Sequence, residues 1–315
     1  MRNFSFRGSL LYLYVQRRYR LNKKAEPDKT ALKGRWDVLA NSIANIVHEN
    51  VDIFFITLLC RASEVSVYTV YALVSQGLIR LMQVFTNGME AAFGDMWAKK
   101  EMAVLKKNFE KYEYLMFSVA QMFSGCMLVL ILPFVKVYTK NVTDVEYIRP
   151  LFALLLTLAV GTMCIRMPYV TLVQAAGHYK QTKVGSFVEA AINIVLTVTL
   201  IPFLGIVGAV IGTVAANTFR SFQYGHYVSK HLLSRPFTIM IKRVLWLIGT
   251  TALSVLASNL ILQFIVVSNW LSWVYCVLIS LTVHFLILIV SSWLFYRDNL
   301  SALGESVHRI IKRKG

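Results

Sequence analysis

SVYTVYALVSQGLIRLMQVFTNGMEAA, residues 66–92, is apolar over the length of a bilayer yet carries Gln76, Arg80, Gln83, Asn87 and Glu90. The steps between those five place them on one face of an α-helix, and the other faces hold aliphatic and aromatic side chains. A hydrocarbon core of about 30 Å takes about 20 apolar residues per helix, and a guanidinium at its centre costs about 2.5 to 3.5 kcal/mol on insertion scales. The polar face must therefore look into water or protein, and the segment reads as a membrane helix that lines a hollow.

Working outward, seven more stretches have comparable length and composition: 36–60, 114–138, 150–176, 184–204, 205–221, 244–264 and 269–295. The 315 residues are 57% hydrophobic and 16% charged, against roughly a quarter charged in soluble domains. The connections are too short to hold a separate core, so the expectation is an all-α polytopic membrane bundle of about eight transmembrane helices. A formal charge of +17 would suit nucleic acid if it clustered on one soluble face. Here most Lys and Arg fall in alternate connections, which argues against nucleic acid and, by the positive-inside rule, puts those connections and both termini in the cytoplasm. The chain divides into a basic linker with an interfacial segment (1–35), a six-helix lobe (36–221), a cytoplasmic loop (222–243), a terminal hairpin (244–296) and a basic tail (297–315).

The first span repeats the polar stripe with Asn41, Asn45, His48, Glu49 and Asp52, and an ion pair between Glu49 and Arg80 is expected across the two helices. The fourth adds Thr162, Arg166 and Tyr169; the fifth adds Ser186, Glu189, Asn193 and Thr197. Four striped helices suggest one cavity. Arg80 and Arg166 suit an anionic ligand, because a planar fork of donors that stays charged matches phosphate oxygens. Glu49, Asp52, Glu90 and Glu189 are candidates to take a coupling proton or sodium ion. Intramembrane ion pairs also serve simply to join helices, and that reading stands beside the first for each residue.

Gly208 and Gly212 form a small-xxx-small pattern for close helix packing. Pro168, two residues after Arg166, removes a backbone hydrogen bond and favours a kink. His284 stands alone on an apolar span and reads as a buried, hydrogen-bonded residue. Cys60, Cys126, Cys164 and Cys276 lack metal or redox spacing and read as packing. The chain has no Walker lysine motif, GxSxG, HExxH or dinucleotide-binding glycine pattern; neither enzymatic chemistry, a cofactor nor a metal is expected.

YIRPLFALLLTLAVGTMCIRMPY (147–169), AAGHYKQTK (175–183), EAAINIVLTVTLIP (189–202) and GIVGAVIGT (205–213), with DKTALKGRWDVLANSIANIVHENVDIFFITLL (28–59) upstream, resemble polysaccharide-biosynthesis (O-antigen) flippases of the Wzx type. These belong to the MATE-like multidrug/oligosaccharidyl-lipid/polysaccharide superfamily. The resemblance implies the C-terminal lobe of a two-lobed transporter plus its terminal helix pair, in a bacterial cytoplasmic (inner) membrane. It further implies a lipid-linked (undecaprenyl-diphosphate) oligosaccharide as substrate, moved by alternating access, with Arg80 and Arg166 at the diphosphate and Asn45, Gln83, Asn87 and Asn193 bonding sugar hydroxyls. On the same resemblance, the partners are membrane lipids, a polypeptide supplying the N-terminal lobe, a polysaccharide polymerase and glycosyltransferases. Alternatives are a cation-coupled multidrug exporter of the same superfamily and a non-transporting membrane assembly subunit.

Overall fold

The computed structural model describes residues 12–18, 35–298 and 300–301, and among them there is no strand. The described residues up to Trp36 and those from Asp37 onward form separate units. In the first, residues 12–18 are a short helix in which the Gln16 amide donates to the Tyr12 hydroxyl at 2.7 Å. The rest of the proposed interfacial segment, and most of the basic leader and tail, lie outside the described residues.

Among the described residues nine longer helices follow: α1 (Arg35–Leu59), α2 (Ala62–Asn87), α3 (Met89–Ala98), α4 (Met102–Tyr138), α5 (Pro150–Ala175), α6 (Tyr179–Leu204), α7 (Ile206–Tyr227), α8 (Thr238–Leu262) and α9 (Trp270–Phe295). Seven helical stretches among the described residues are long and apolar enough to cross a membrane, the second running through α2 and α3 as Ala62–Ala98. The eight expected spans therefore become seven by composition. The exception is α7, which at 22 residues is about 33 Å long but carries Asn217, Arg220 and Gln223, and hides Asn217 and Arg220 against its neighbours.

Two expected connections are also shorter than their sequences implied. The basic stretch 99–111 is mostly the start of the 37-residue α4. Residues 222–243 continue α7 into a π-turn, Val228–Leu232, before α8 begins at Thr238.

The interior combines an apolar core with enclosed polar groups, and the outside is apolar. Glu113, Gln121, Asn193, Thr197, Ser254 and His284 are fully enclosed, while Phe203, Phe264, Val266 and Phe295 are 84%, 81%, 81% and 71% exposed. Apolar surface on that scale needs a nonaqueous surrounding, which makes the chain a multi-pass membrane protein. Aromatic clusters mark both ends of the α8–α9 hairpin: Tyr114, Trp246 and Tyr296 at one, Phe134, Tyr138, Trp270 and Trp273 at the other. Such rings settle at membrane–water boundaries.

Helices α4 and α5 form the centre; α4 packs on α2, α5, α8 and α9, and α5 on α2, α3 and α7. The α6–α7 hairpin turns on Gly205, whose φ of 56° glycine adopts without steric cost. Below the turn, a Cβ at Gly208 would overlap the Leu200 carbonyl and the Ile201 nitrogen, so the glycine pattern does permit backbone approach. His284 is buried with Nδ1 2.8 Å from the Ser280 carbonyl, and all four cysteines are free.

Candidate functional site

Helix α1 is joined to α6 and α7 by a ladder of polar side chains. Nearest the start of α6, the Asn41 amide donates to the Tyr179 carbonyl at 3.0 Å and its oxygen accepts from Ser186 at 2.6 Å. Two turns on, His48 Nε2 lies 3.1 Å from the Asn217 oxygen and Nδ1 lies 3.2 Å from the Asn193 amide. An amide oxygen on one side and an amide nitrogen on the other select the tautomer protonated at Nε2. A turn further, Thr213 donates to Asp52 at 2.6 Å. The stripe 186, 189, 193, 197 thus faces inward along its length, as its spacing predicts, and all four residues are buried.

Glu189 is the charge centre. Its carboxylate takes the Arg166 guanidinium on one oxygen, stands 3.4 Å from His48 Nε2, and has Arg220 Nε at 3.3 Å from the other oxygen. Arg220 and Glu189 side chains are each 1% exposed and Arg166 12%. Two guanidiniums on one carboxylate leave a surplus positive charge, and all three residues line the hollow, Arg166 being the least buried of them. Arg220 is fixed from behind by the Thr182 carbonyl, Ser186 and Tyr224 at 3.0, 2.5 and 2.7 Å. It was not recognisable as a site residue, because 205–221 reads first as a glycine packing surface; its signal is a lone arginine one turn past Asn217.

The hollow has two adjoining parts, of about 390 and 280 Å³, which share Glu49, Gln83, Met163 and Arg166. Arg80 and Asp52 line the larger; Asn45, Asn87, Glu90 and Glu189 line the smaller. Asn193 alone of the ten candidates stands behind the wall, holding His48. Glu49 and Arg80 face the same space but do not form the expected pair: no ion pair involves either among the described residues. Arg80, Gln83, Asn87, Asn45, Glu49 and Glu90 are exposed, so this hollow is open on the side bordered by α1 and α2. The five-residue stripe is divided as well, since the helix breaks at Gly88 and Glu90 belongs to α3.

Asp52 is the second polar centre. One carboxylate oxygen holds Thr213 and the other is buried without a partner. The polar side chains that face it are those of Thr213, Asn193 and Tyr68, none of them charged. A buried carboxylate with a spare lone pair and no charged partner suits a proton or a small hard cation.

Two expectations for α5 fail. Tyr169 points away from the hollow and donates to Glu113 on α4, while Thr162 bonds back to the Leu158 carbonyl. Glu113 is 0% exposed and also binds Arg235 and Arg243. It was hidden from sequence reading because it immediately precedes the 114–138 apolar run.

No family model matches the chain, and no curated protein matches it. Fold and site together define a multi-pass helical membrane protein whose inner helices enclose a charged, partly open hollow.

Proposed function

We propose that the chain is one lobe of an exporter that flips lipid-linked oligosaccharide, carried on undecaprenyl diphosphate, across a bacterial cytoplasmic membrane for surface polysaccharide synthesis. The observation that carries this reading is that two guanidiniums, Arg80 and Arg166, border one part of a hollow with a free side, Arg166 belonging to a cluster in which two arginines share the Glu189 carboxylate. A diphosphate seats there on Arg166 and Arg80, with Asn45, Gln83 and Asn87 facing the sugar hydroxyls and the lipid tail remaining in the bilayer. A second polypeptide lobe closes the free side, and rocking of the lobes alternates access. Asn193 acts indirectly, by holding His48.

The coupling ion is a second substrate, and Asp52 with its unpartnered oxygen is the position that fits it best. With α7 counted as a crossing the number is even, which fits both termini lying in the cytoplasm. Polymerase and glycosyltransferases are the enzymes that consume and supply such a substrate.

The test is flipping of a fluorescent diphosphate-linked sugar in vesicles containing the intact transporter. Arg80→Ala with Arg166→Ala should abolish it, and parental rates in that variant would overturn the assignment. A cation-coupled drug exporter is the second reading, favoured by the exposed Glu49 and Glu90; it predicts that Glu49→Gln with Glu90→Gln abolishes transport of an organic cation instead.

A further inference from the structure

A separate cavity lies where α7 runs into α8, at the end of the bundle where α3, α5 and α7 finish. It measures about 380 Å³ and is lined by His226, Ser229, Lys230, Ser234, Arg235 and the ring of Phe237. Its shape follows from the π-turn. The wider turn closes Leu233 N–H on the Val228 carbonyl at 2.9 Å, and Arg235 N–H then returns to the Ser229 carbonyl at 2.9 Å. Ser234, at φ 46°, makes the reversal. Residues 229 and 235 thereby meet in one wall although six positions apart.

The lining carries no acidic side chain. Arg235 is anchored: both terminal nitrogens lie on Glu113, at 2.9 and 2.5 Å, and its guanidinium lies over the Phe109 ring at 5.2 Å. That leaves Nε, which is buried without a partner. The Ser229 hydroxyl is likewise buried and unpartnered, in a residue 1% exposed. Two enclosed donors without acceptors are costly in a folded chain unless something supplies the acceptors. Glu113 answers two guanidiniums, Arg235 and Arg243, with one negative charge, so the wall remains positive even with the exposed Glu110 nearby. Lys230 and His226 reach the mouth from solvent.

We propose that this cavity is a binding site for a phosphate group, either of an anionic membrane lipid or of a soluble phosphate compound. Serine, arginine, lysine and histidine side chains around one cavity supply several donors, which suits a tetrahedral anion with several acceptor oxygens better than a planar carboxylate. The volume exceeds that of a bare ion, which leaves room for a substituent. The site is separate from the hollow between α1, α2, α5 and α6 and does not depend on the transport reading.

The experiment uses the full chain with two probes, inorganic phosphate added in zwitterionic detergent and phosphatidylglycerol in nanodiscs. Binding is read by thermal shift for the first and by native mass spectrometry for the second. Lys230→Gln is solvent-exposed and should fold normally; it and Ser229→Ala should each weaken binding about tenfold. Lys180→Gln, at the same end but outside the cavity, should change it less than about twofold. Retention of the lipid alone would identify a headgroup site, and a shift with inorganic phosphate a soluble ligand; both support the proposal. Equal losses in Lys230→Gln and Lys180→Gln, or no binding of either probe, would overturn it. Should Ser229→Ala fail to fold, the comparison of the two lysine variants decides alone.

Discussion

Glu113 on α4 grips Arg235 through both carboxylate oxygens, at 2.9 and 2.5 Å, across 122 residues of sequence. Tyr169 of α5 donates to the same carboxylate, and Arg243 of α8 lies 2.9 Å from it. Arg243 also donates to the Glu110 carbonyl at 3.0 Å. One enclosed carboxylate thus ties the central helix pair to the segment that leads into the terminal hairpin, while the hairpin's other contacts are mainly apolar. The lobe and the hairpin are joined by charge at one end and by aromatic packing at both.

Removing Glu113 should therefore be severe. Glu113→Ala strands two guanidiniums and a tyrosine hydroxyl, and breaking a buried pair from one side costs about 3 to 5 kcal/mol. Thermal unfolding in detergent should show that loss, together with protease sensitivity between α7 and α8. Replacing Glu113, Arg235 and Arg243 together by apolar residues should recover much of the stability, because no charge is then left unpaired. A Glu113→Ala protein as stable as its parent would show that the cluster holds nothing.

A second constraint on the hairpin is steric. A Cβ at Gly125 of α4 would fall within the His284 ring of α9, and the imidazole is fixed by the Ser280 carbonyl. Gly125→Ala should cost about 1 to 3 kcal/mol, the range for overpacked cores. Pairing it with His284→Ala should cost less than the sum of the two single changes, since the alanine methyl then occupies space the ring has left. Strict additivity in unfolding measurements would mean that the helices separate rather than clash.

The parts of this arrangement that were legible in sequence are those where polarity interrupts an otherwise apolar helix on a single face. Ser186, Glu189, Asn193 and Thr197 could be read because nothing else on α6 competes for the interior. Tyr169 misled, because its long side chain follows a different direction from Arg166 three residues earlier and ends in another cluster. Glu113 and Arg235 were invisible for a physical reason: Glu113 borders an apolar run and Arg235 lies in the basic 222–243 connection, places where charge is ordinarily solvated. Only packing from distant helices encloses them. The Glu49–Arg80 pair failed for the reverse reason, since shared helical faces bring two residues to one hollow without setting their separation.

The basic end should respond to acid through His178. Its Nδ1 lies 2.8 Å from the Tyr227 hydroxyl, its ring meets Trp97 edge to face, and burial followed by the nearby His231 lowers its pKa below the ordinary histidine value. In the unfolded chain the residue takes a proton near pH 6.5, which the folded chain resists. Unfolded protein then binds more protons, so stability falls as pH drops below about 6.5 and levels off beneath the folded pKa. Melting temperature measured from pH 8 to 5 should decline over that window, and His178→Gln should make the decline shallower. An unchanged slope in the variant would place the titration elsewhere.

Arg80 and Arg166 should separate stability from transport. Arg80 is exposed in the hollow and in no ion pair among the described residues, so Arg80→Ala should alter unfolding by no more than about 0.5 kcal/mol. Arg166 bonds a carboxylate that is 1% exposed, and Arg166→Ala should cost about 1.5 to 3 kcal/mol, since Arg220 and His48 remain to hold Glu189. Glu189→Ala should be worse than either, because it leaves two guanidiniums facing each other. If both arginines bind the diphosphate, the two variants should lose flipping to a similar degree despite their unequal stabilities. A loss of flipping that simply tracks thermal stability, with Arg80→Ala active, would reduce Arg166 to a helix-joining residue and leave the hollow without its proposed anion site.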